Sequence, residues 1–215
     1  MGVTSSQAAV SQGQITHARG LPSARRARTT RPMSLRLFAA LDLPDDVAER
    51  ALALQRGVPG AKWRPRENLH LTLRFFGEVS EPVADEIDHE LSLAADAVAP
   101  FELQLKSAGA FGKDDPHTLW LGAGENPALI KLAAACERAA RRAGLKPESR
   151  KFKPHVTLAY LREGADLARV HAFESRLGLF ETRPFTVERF GLYSSWMRKS
   201  APSLYRLEAE YFLRG

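Results

Sequence analysis

From residue 35 onward the apolar and polar positions follow two rhythms. Residues 35–41 form a short apolar run of strand length. Pro44, Asp45 and Asp46 then supply helix N-terminal chemistry, with Gly57 as the stop. Residues 69–76 alternate with period two, which predicts a strand ending at Gly77. Ser80-Glu81-Pro82 opens a second helix whose buried stripe is Val83, Ile87 and Leu91. Further strands are predicted at 101–105 and 118–121, then a helix capped by Asn126-Pro127 that runs to Gly144. In the second half, 155–161 reads as a strand, 166–177 as a helix, and 185–193 and 204–213 as closing strands. Strands and helices do not alternate steadily, so the expected class is α+β with mainly antiparallel sheet.

Residues 1–32 break this pattern. They are rich in Ser, Gln, Ala and Arg, lack an apolar period, and read as a disordered extension ahead of a domain at 33–215. The start matches a myristoylation pattern and the composition suits a transit peptide, but a plain upstream extension explains both.

Charge changes the picture once it is located. The chain of 215 residues carries a net charge of +6, yet residues 1–32 hold five arginines and no acid. Of 31 basic side chains, 26 therefore remain in the body, against 25 acidic ones. The extension is basic and the body nearly neutral, so a polyanion must be attracted by local clusters. No run approaches the roughly 18 apolar residues of a membrane span. Cys136, the single cysteine, excludes an intramolecular disulfide framework and fits a reducing, cytoplasmic setting. It falls on the apolar stripe of Leu129, Leu132 and Ala139, as a small buried hydrophobe would.

The informative feature is a motif that occurs twice, His70-Leu71-Thr72-Leu73 and His155-Val156-Thr157-Leu158. With six histidines and nine threonines, random order gives about 0.25 His-x-Thr matches. In a strand, residues i and i+2 share a face, so each motif presents an imidazole and a hydroxyl together. Two such strands suggest duplicated half-domains facing one cleft. Their imidazoles can act as proton donor and acceptor on opposite sides of a phosphorus centre. Thr72 and Thr157 are then placed to donate to the non-bridging oxygens, where charge builds up. A 2′,3′-cyclic phosphate suits this set, because its leaving oxygen needs only a proton. No metal is required, and neither motif supplies a zinc ligand set. There is no P-loop, and Gly122-Ala123-Gly124 lacks the third glycine of a dinucleotide fingerprint, Pro127 standing there.

With these residues the chain resembles the two-histidine phosphoesterase superfamily, and most closely its RNA 2′,3′-cyclic phosphodiesterases, also called 2′-5′ RNA ligases. The likeness spans 33–215. It includes the run from Arg36 to Pro44, Trp63, Glu67-Asn68-Leu69 before His70, Leu119-Trp120-Leu121-Gly122, Phe152-Lys153-Pro154 before His155, and Leu192-Tyr193-Ser194-Ser195. The resemblance implies a bilobal fold with one His-x-Thr strand per lobe lining a central cleft, and helices outside. It implies opening of an RNA 2′,3′-cyclic phosphate to a 2′-phosphomonoester, with His70 as proton donor and His155 as acceptor. No cofactor, metal or membrane is expected, and the expected unit is a monomer. Ligation of 2′-5′ ends, hydrolysis of small cyclic phosphates, or a non-catalytic RNA-binding module remain alternatives.

One position departs from the family. Many members carry an arginine five residues after the second histidine, where this chain has Tyr160. Arg162 follows in the opposite strand phase, whereas Arg74 shares the phase of His70 and Thr72. Lys153, Tyr193, Ser194 and Tyr205 complete the expected substrate-binding set with Arg74 and Arg162. Basic residues flank both motifs, Lys62, Arg64 and Arg66 before the first and Lys146, Arg150, Lys151 and Lys153 before the second. Such clusters can hold RNA phosphates beyond the reacting one. Phe76, Tyr193 and Tyr205 are candidate base-stacking rings.

Overall fold

Period-two alternation sends Leu71, Leu73, Val156 and Leu158 into the core, where all four are buried. The computed structural model describes residues 34–199 and 201–215; the expected extension at 1–32 lies outside the described residues. The strands are β1 (Ser34–Asp42), β2 (Lys62–Trp63), β3 (His70–Ser80), β4 (Phe101–Leu103), β5 (Leu105–Phe111), β6 (Thr118–Ala123), β7 (His155–Tyr160), β8 (Phe185–Val187), β9 (Arg189–Trp196) and β10 (Leu204–Phe212). The helices are α1 (Asp45–Ala53), α2 (Glu81–Ala95), α3 (Pro127–Arg142) and α4 (Leu167–Leu177).

One eight-stranded sheet runs β10-β9-β1-β3-β7-β6-β5, with β2 attached to β7, and β4 and β8 form a separate ribbon. Among the described residues every strand pairing is antiparallel. The expected lobes are the halves of this sheet. They meet where β3 pairs with β7 through Leu71 and Val156 alone. A ladder that short leaves the two motif strands adjacent but barely zipped, which leaves room for a cleft between the halves.

A single apolar cluster draws residues from all four helices, among them Val47, Ile87, Leu129 and Val170, and packs them on one face of the sheet. Two helices begin with a side-chain cap. Asn126 accepts from Leu129 N at 3.0 Å, and Asp166 from Ala168 N at 2.9 Å. Each cap stabilises its helix by about 1 kcal/mol. Cys136 is fully buried on α3, and desolvation pushes its thiol up to about 12, so it is no nucleophile at neutral pH. Among the described residues no helix is long and apolar enough to cross a membrane.

The larger departures from the expected boundaries have physical causes. The strand expected to end at Gly77 continues to Ser80, because Gly77 takes φ +80° beside a register shift and carries the strand through a bulge. The segments 101–105 and 185–193 each break in two, since Phe101–Leu103 pairs with Phe185–Val187 away from the main sheet. Finally, β5 was not expected. Its Lys-Ser-Ala-Gly-Ala stretch has no β-branched residue, and pairing with β6 makes it a strand.

Candidate active site

The face of the sheet opposite the helices carries a cavity of about 430 Å³. His70 and Thr72 line it from β3, Thr157 from β7 and Tyr205 from β10. His155 stands beside it on the same face of β7 as Thr157, near enough that its charge lowers the pKa of His70. Both motifs thus converge, as their spacing predicts.

The two imidazoles have different environments. In His155, Nδ1 lies 2.7 Å from the carbonyl oxygen of Lys153. A carbonyl only accepts, so Nδ1 carries the proton and Nε2 of the neutral ring is left with a free lone pair. Burial, with a smaller contribution from the Lys153 ammonium, lowers its pKa. In His70, Nε2 lies 3.1 Å from Thr72 Oγ1. Burial first, then the positive charge of Arg64, lower its pKa to about 4, against the opposing pull of the Asn68 carbonyl. Each ring is wedged by aromatic neighbours. Phe38 lies 4.9 Å from His70 and Phe111 lies 4.9 Å from His155, so the halves mirror one another in packing as well as in motif.

The expected binding residues divide. Tyr205 lies edge-on to His70 at 5.2 Å and lines the cavity. Tyr193 lies outside the lining. Its ring stacks on Phe38 at 5.4 Å and its hydroxyl donates to Asp42 at 2.6 Å, so it holds Phe38 in place. Ser194 is buried on the other face, donating to Glu208 at 2.6 Å. Its neighbour Ser195 reaches the cavity instead. Lys153 rests its ammonium on the rings of Trp120 and Phe111, at 4.5 and 5.1 Å, and serves the site through its carbonyl. Arg162 lies beyond the end of β7, exposed and outside the lining.

Arg74 is displaced by a bulge. Thr72 pairs with Ala40 and Arg74 with Ala39, so Leu73 is an extra residue and the alternation slips by one. Arg74 turns to the helix face, where Nε meets Glu137 at 2.5 Å and NH2 donates to the Lys146 carbonyl at 2.9 Å. Phe75 takes over the cleft face and stays 39% exposed under the guanidinium of Arg36, 5.0 Å from its ring centre. Phe76, a candidate stacking ring, is core.

Several lining residues were not singled out as binding groups, chiefly Arg36, Phe38, Asn68 and Phe75. Their signal was present in phase, since Arg36, Phe38 and Ala40 alternate along β1 on the face of Thr72. Asn68 is buried, donates to the Ser203 carbonyl at 2.9 Å, and keeps an Oδ1 without a partner. A bound donor would satisfy it. Among the described residues no group of three or more His, Cys, Asp or Glu is arranged to hold a metal.

An open cleft holding two imidazoles and two hydroxyls on an antiparallel sheet is the equipment of an acid–base enzyme. Comparison with known proteins narrows the class: residues 43–195 match the model of the 2′-5′ RNA ligase superfamily, and the chain belongs to that family. An RNA 2′,3′-cyclic phosphodiesterase of Aeropyrum pernix is 35% identical over 158 residues, which is 71% of this chain and 88% of that protein. One from Thermus thermophilus is 32% identical over 197 residues, 84% of this chain and 91% of its own length. Among solved structures, Escherichia coli LigT complexed with 3′-AMP superposes with a TM-score of 0.66 at 29% identity, covering 85% of this chain and 100% of that one.

Proposed function

We propose that this cleft hydrolyses RNA 2′,3′-cyclic phosphate ends to 2′-phosphomonoesters, with His155 as proton acceptor and His70 as proton donor. The observation that carries the reading is the asymmetry of the pair. Both rings face a backbone carbonyl two residues upstream, but His155 presents a bare Nε2, as a general base requires, whereas Nε2 of His70 is met by Thr72 Oγ1 at 3.1 Å. His70 is the more strongly depressed ring and is neutral in the free protein near pH 7. A bound phosphate anion supplies the counter-charge that the buried ring lacks and raises its pKa, so the acid forms as substrate enters.

In the reaction, Nε2 of His155 takes a proton from a water that attacks phosphorus. The bond from phosphorus to the 3′ oxygen breaks, and His70 delivers its proton to that oxygen. Thr72 and Thr157 donate to the non-bridging oxygens. Relatives named RNA 2′,3′-cyclic phosphodiesterases, and a LigT structure holding 3′-AMP, support a ribonucleotide end as substrate. All the groups named come from one chain at 33–215 and none is a metal, so the reading needs no second copy and no ion. The free, buried Cys136 fits the cytoplasm.

The test is a short RNA ending in a 2′,3′-cyclic phosphate, with chelator present and the product read by phosphorus NMR. A 2′-phosphate is expected, with turnover lowered about 10²–10⁴-fold in either His70→Ala or His155→Ala. Undiminished turnover in either variant overturns the mechanism, and a 3′-phosphate reverses the regiochemistry.

A further inference from the structure

Arg64 is a buried cation without an anion. It is 9% exposed and lines the cavity, yet among the described residues no carboxylate lies within ion-pair distance of it. The other two arginines of the cavity are engaged differently. Arg150 pairs with Glu148 at 3.4 Å in solvent, and Arg36 lies on Phe75 and donates to Met197 Sδ at 3.5 Å. A guanidinium taken out of water costs free energy until an opposite charge joins it.

Its placement is held from several sides. Arg64 N donates to the Leu158 carbonyl at 2.8 Å, extending the pairing of β2 on β7, and its own carbonyl accepts from Gln55 at 2.8 Å. The guanidinium lies over the ring of Tyr160, 5.2 Å from its centre, and NH2 donates to the Tyr205 hydroxyl at 3.4 Å. A ring face attracts the cation without neutralising it, and a neutral phenol accepts only one of its five donors. The charge therefore remains directed at the space next to His70, where it already acts on the imidazole.

We infer that Arg64 binds a non-bridging oxygen of the reacting phosphate, and that Tyr160 is the positioning residue that holds it there. This rests on the cyclic-phosphodiesterase reading above. It also explains how a tyrosine can stand at position 160. The cation arrives from β2 and lies on the tyrosine ring, so an arginine at 160 would bring its charge to the same neighbourhood. A cation can thus be moved across this strand pair without leaving the cleft.

The experiment compares Arg64→Gln, Arg64→Lys, Tyr160→Ala and the double variant Arg64→Gln/Tyr160→Arg, each checked for folding by circular dichroism. Two readouts are taken: kcat/KM on the cyclic-phosphate RNA, and inorganic phosphate affinity from NMR titration of the His70 and His155 resonances, which needs no turnover. Arg64→Gln is expected to lower kcat/KM about 10²-fold, the size of one lost charge-stabilising donor, and to weaken phosphate about tenfold. It also raises the His70 pKa, because the neighbouring positive charge is gone. Arg64→Lys keeps the charge but loses the fork and falls between. Tyr160→Ala costs about tenfold, and the double variant recovers to within about tenfold of the unaltered protein. Phosphate affinity and kcat/KM both unchanged in folded Arg64→Gln overturn the inference. If the unaltered protein opens no cyclic phosphate, the functional reading falls by itself. The phosphate titration still decides the role of Arg64, and undiminished affinity in Arg64→Gln then overturns it.

Discussion

His155 donates its Nδ1 proton to the main-chain carbonyl of Lys153, two residues upstream, across 2.7 Å. The tautomer of the proposed base is therefore set by backbone, and the Lys153 side chain is free to do something else. Its ammonium lies on Trp120 and Phe111 and lowers the pKa of His155. Replacing it by Met keeps the carbonyl and removes the charge. Lys153→Met is expected to leave maximal kcat/KM within about threefold, since a neutral Met still packs on aromatic rings. The limb that reports His155 moves to higher pH, because a lost positive neighbour favours imidazolium. An unmoved limb in the pH profile counts against this arrangement.

The same pair of rings predicts where the enzyme works best. Catalysis needs His70 protonated and His155 neutral, but the free protein holds His70 near 4 and His155 below 6.5. The competent protonation state is therefore most populated between those two values, and kcat/KM is expected to peak on the acid side of neutrality. Bound substrate adds negative charge beside His70 and raises its pKa, so the profile of kcat lies at higher pH than that of kcat/KM. Coincident profiles centred above pH 7 would contradict the assignment of His70 as the buried acid.

Much of this site was readable from periodicity, and the failures have identifiable causes. Alternation alone put His70 with Thr72, and His155 with Thr157, because two residues in a regular strand cannot change face. It failed for Arg74, two residues further on, because one extra residue at Leu73 reverses the phase. Bulges depend on what the neighbouring strand can accommodate, and that is not written in the strand itself. Ser194 is a different case: its strand pairs regularly with β1, and simple alternation puts Ser195 on the cleft face and Ser194 on the other. The depth of Arg64 depends on β2, a strand of two residues with no period of its own. Among the flanking basic residues its charge was visible, but its burial was not.

Arg74 supplies a direct check on that bulge. Its guanidinium ties β3 to α3 and the following loop through Glu137 and Glu148, with little solvent around it. Arg74→Met is expected to lower stability by roughly 2 kcal/mol, chiefly by stranding Glu137, while kcat/KM stays within about threefold. Urea denaturation gives the first quantity and the RNA assay the second. Loss of activity at unchanged stability would return Arg74 to the cleft.

The buried state of His70 also links folding to pH. Unfolded, the ring takes its proton near 6.5; folded, it resists until about 4, owing to burial and then to Arg64. Between those values the unfolded chain binds more protons, so stability falls as the pH is lowered through this window. A displacement of that size is worth about 3 kcal/mol, present above pH 6.5 and lost by pH 4. His70→Gln removes the titrating ring while keeping a hydrogen-bonding side chain of similar length. Its urea midpoint should decline less between pH 6.5 and 4 than that of the unaltered protein. Equal declines would mean that the folded ring titrates near its unfolded value of about 6.5, so that burial and Arg64 do not hold its proton off.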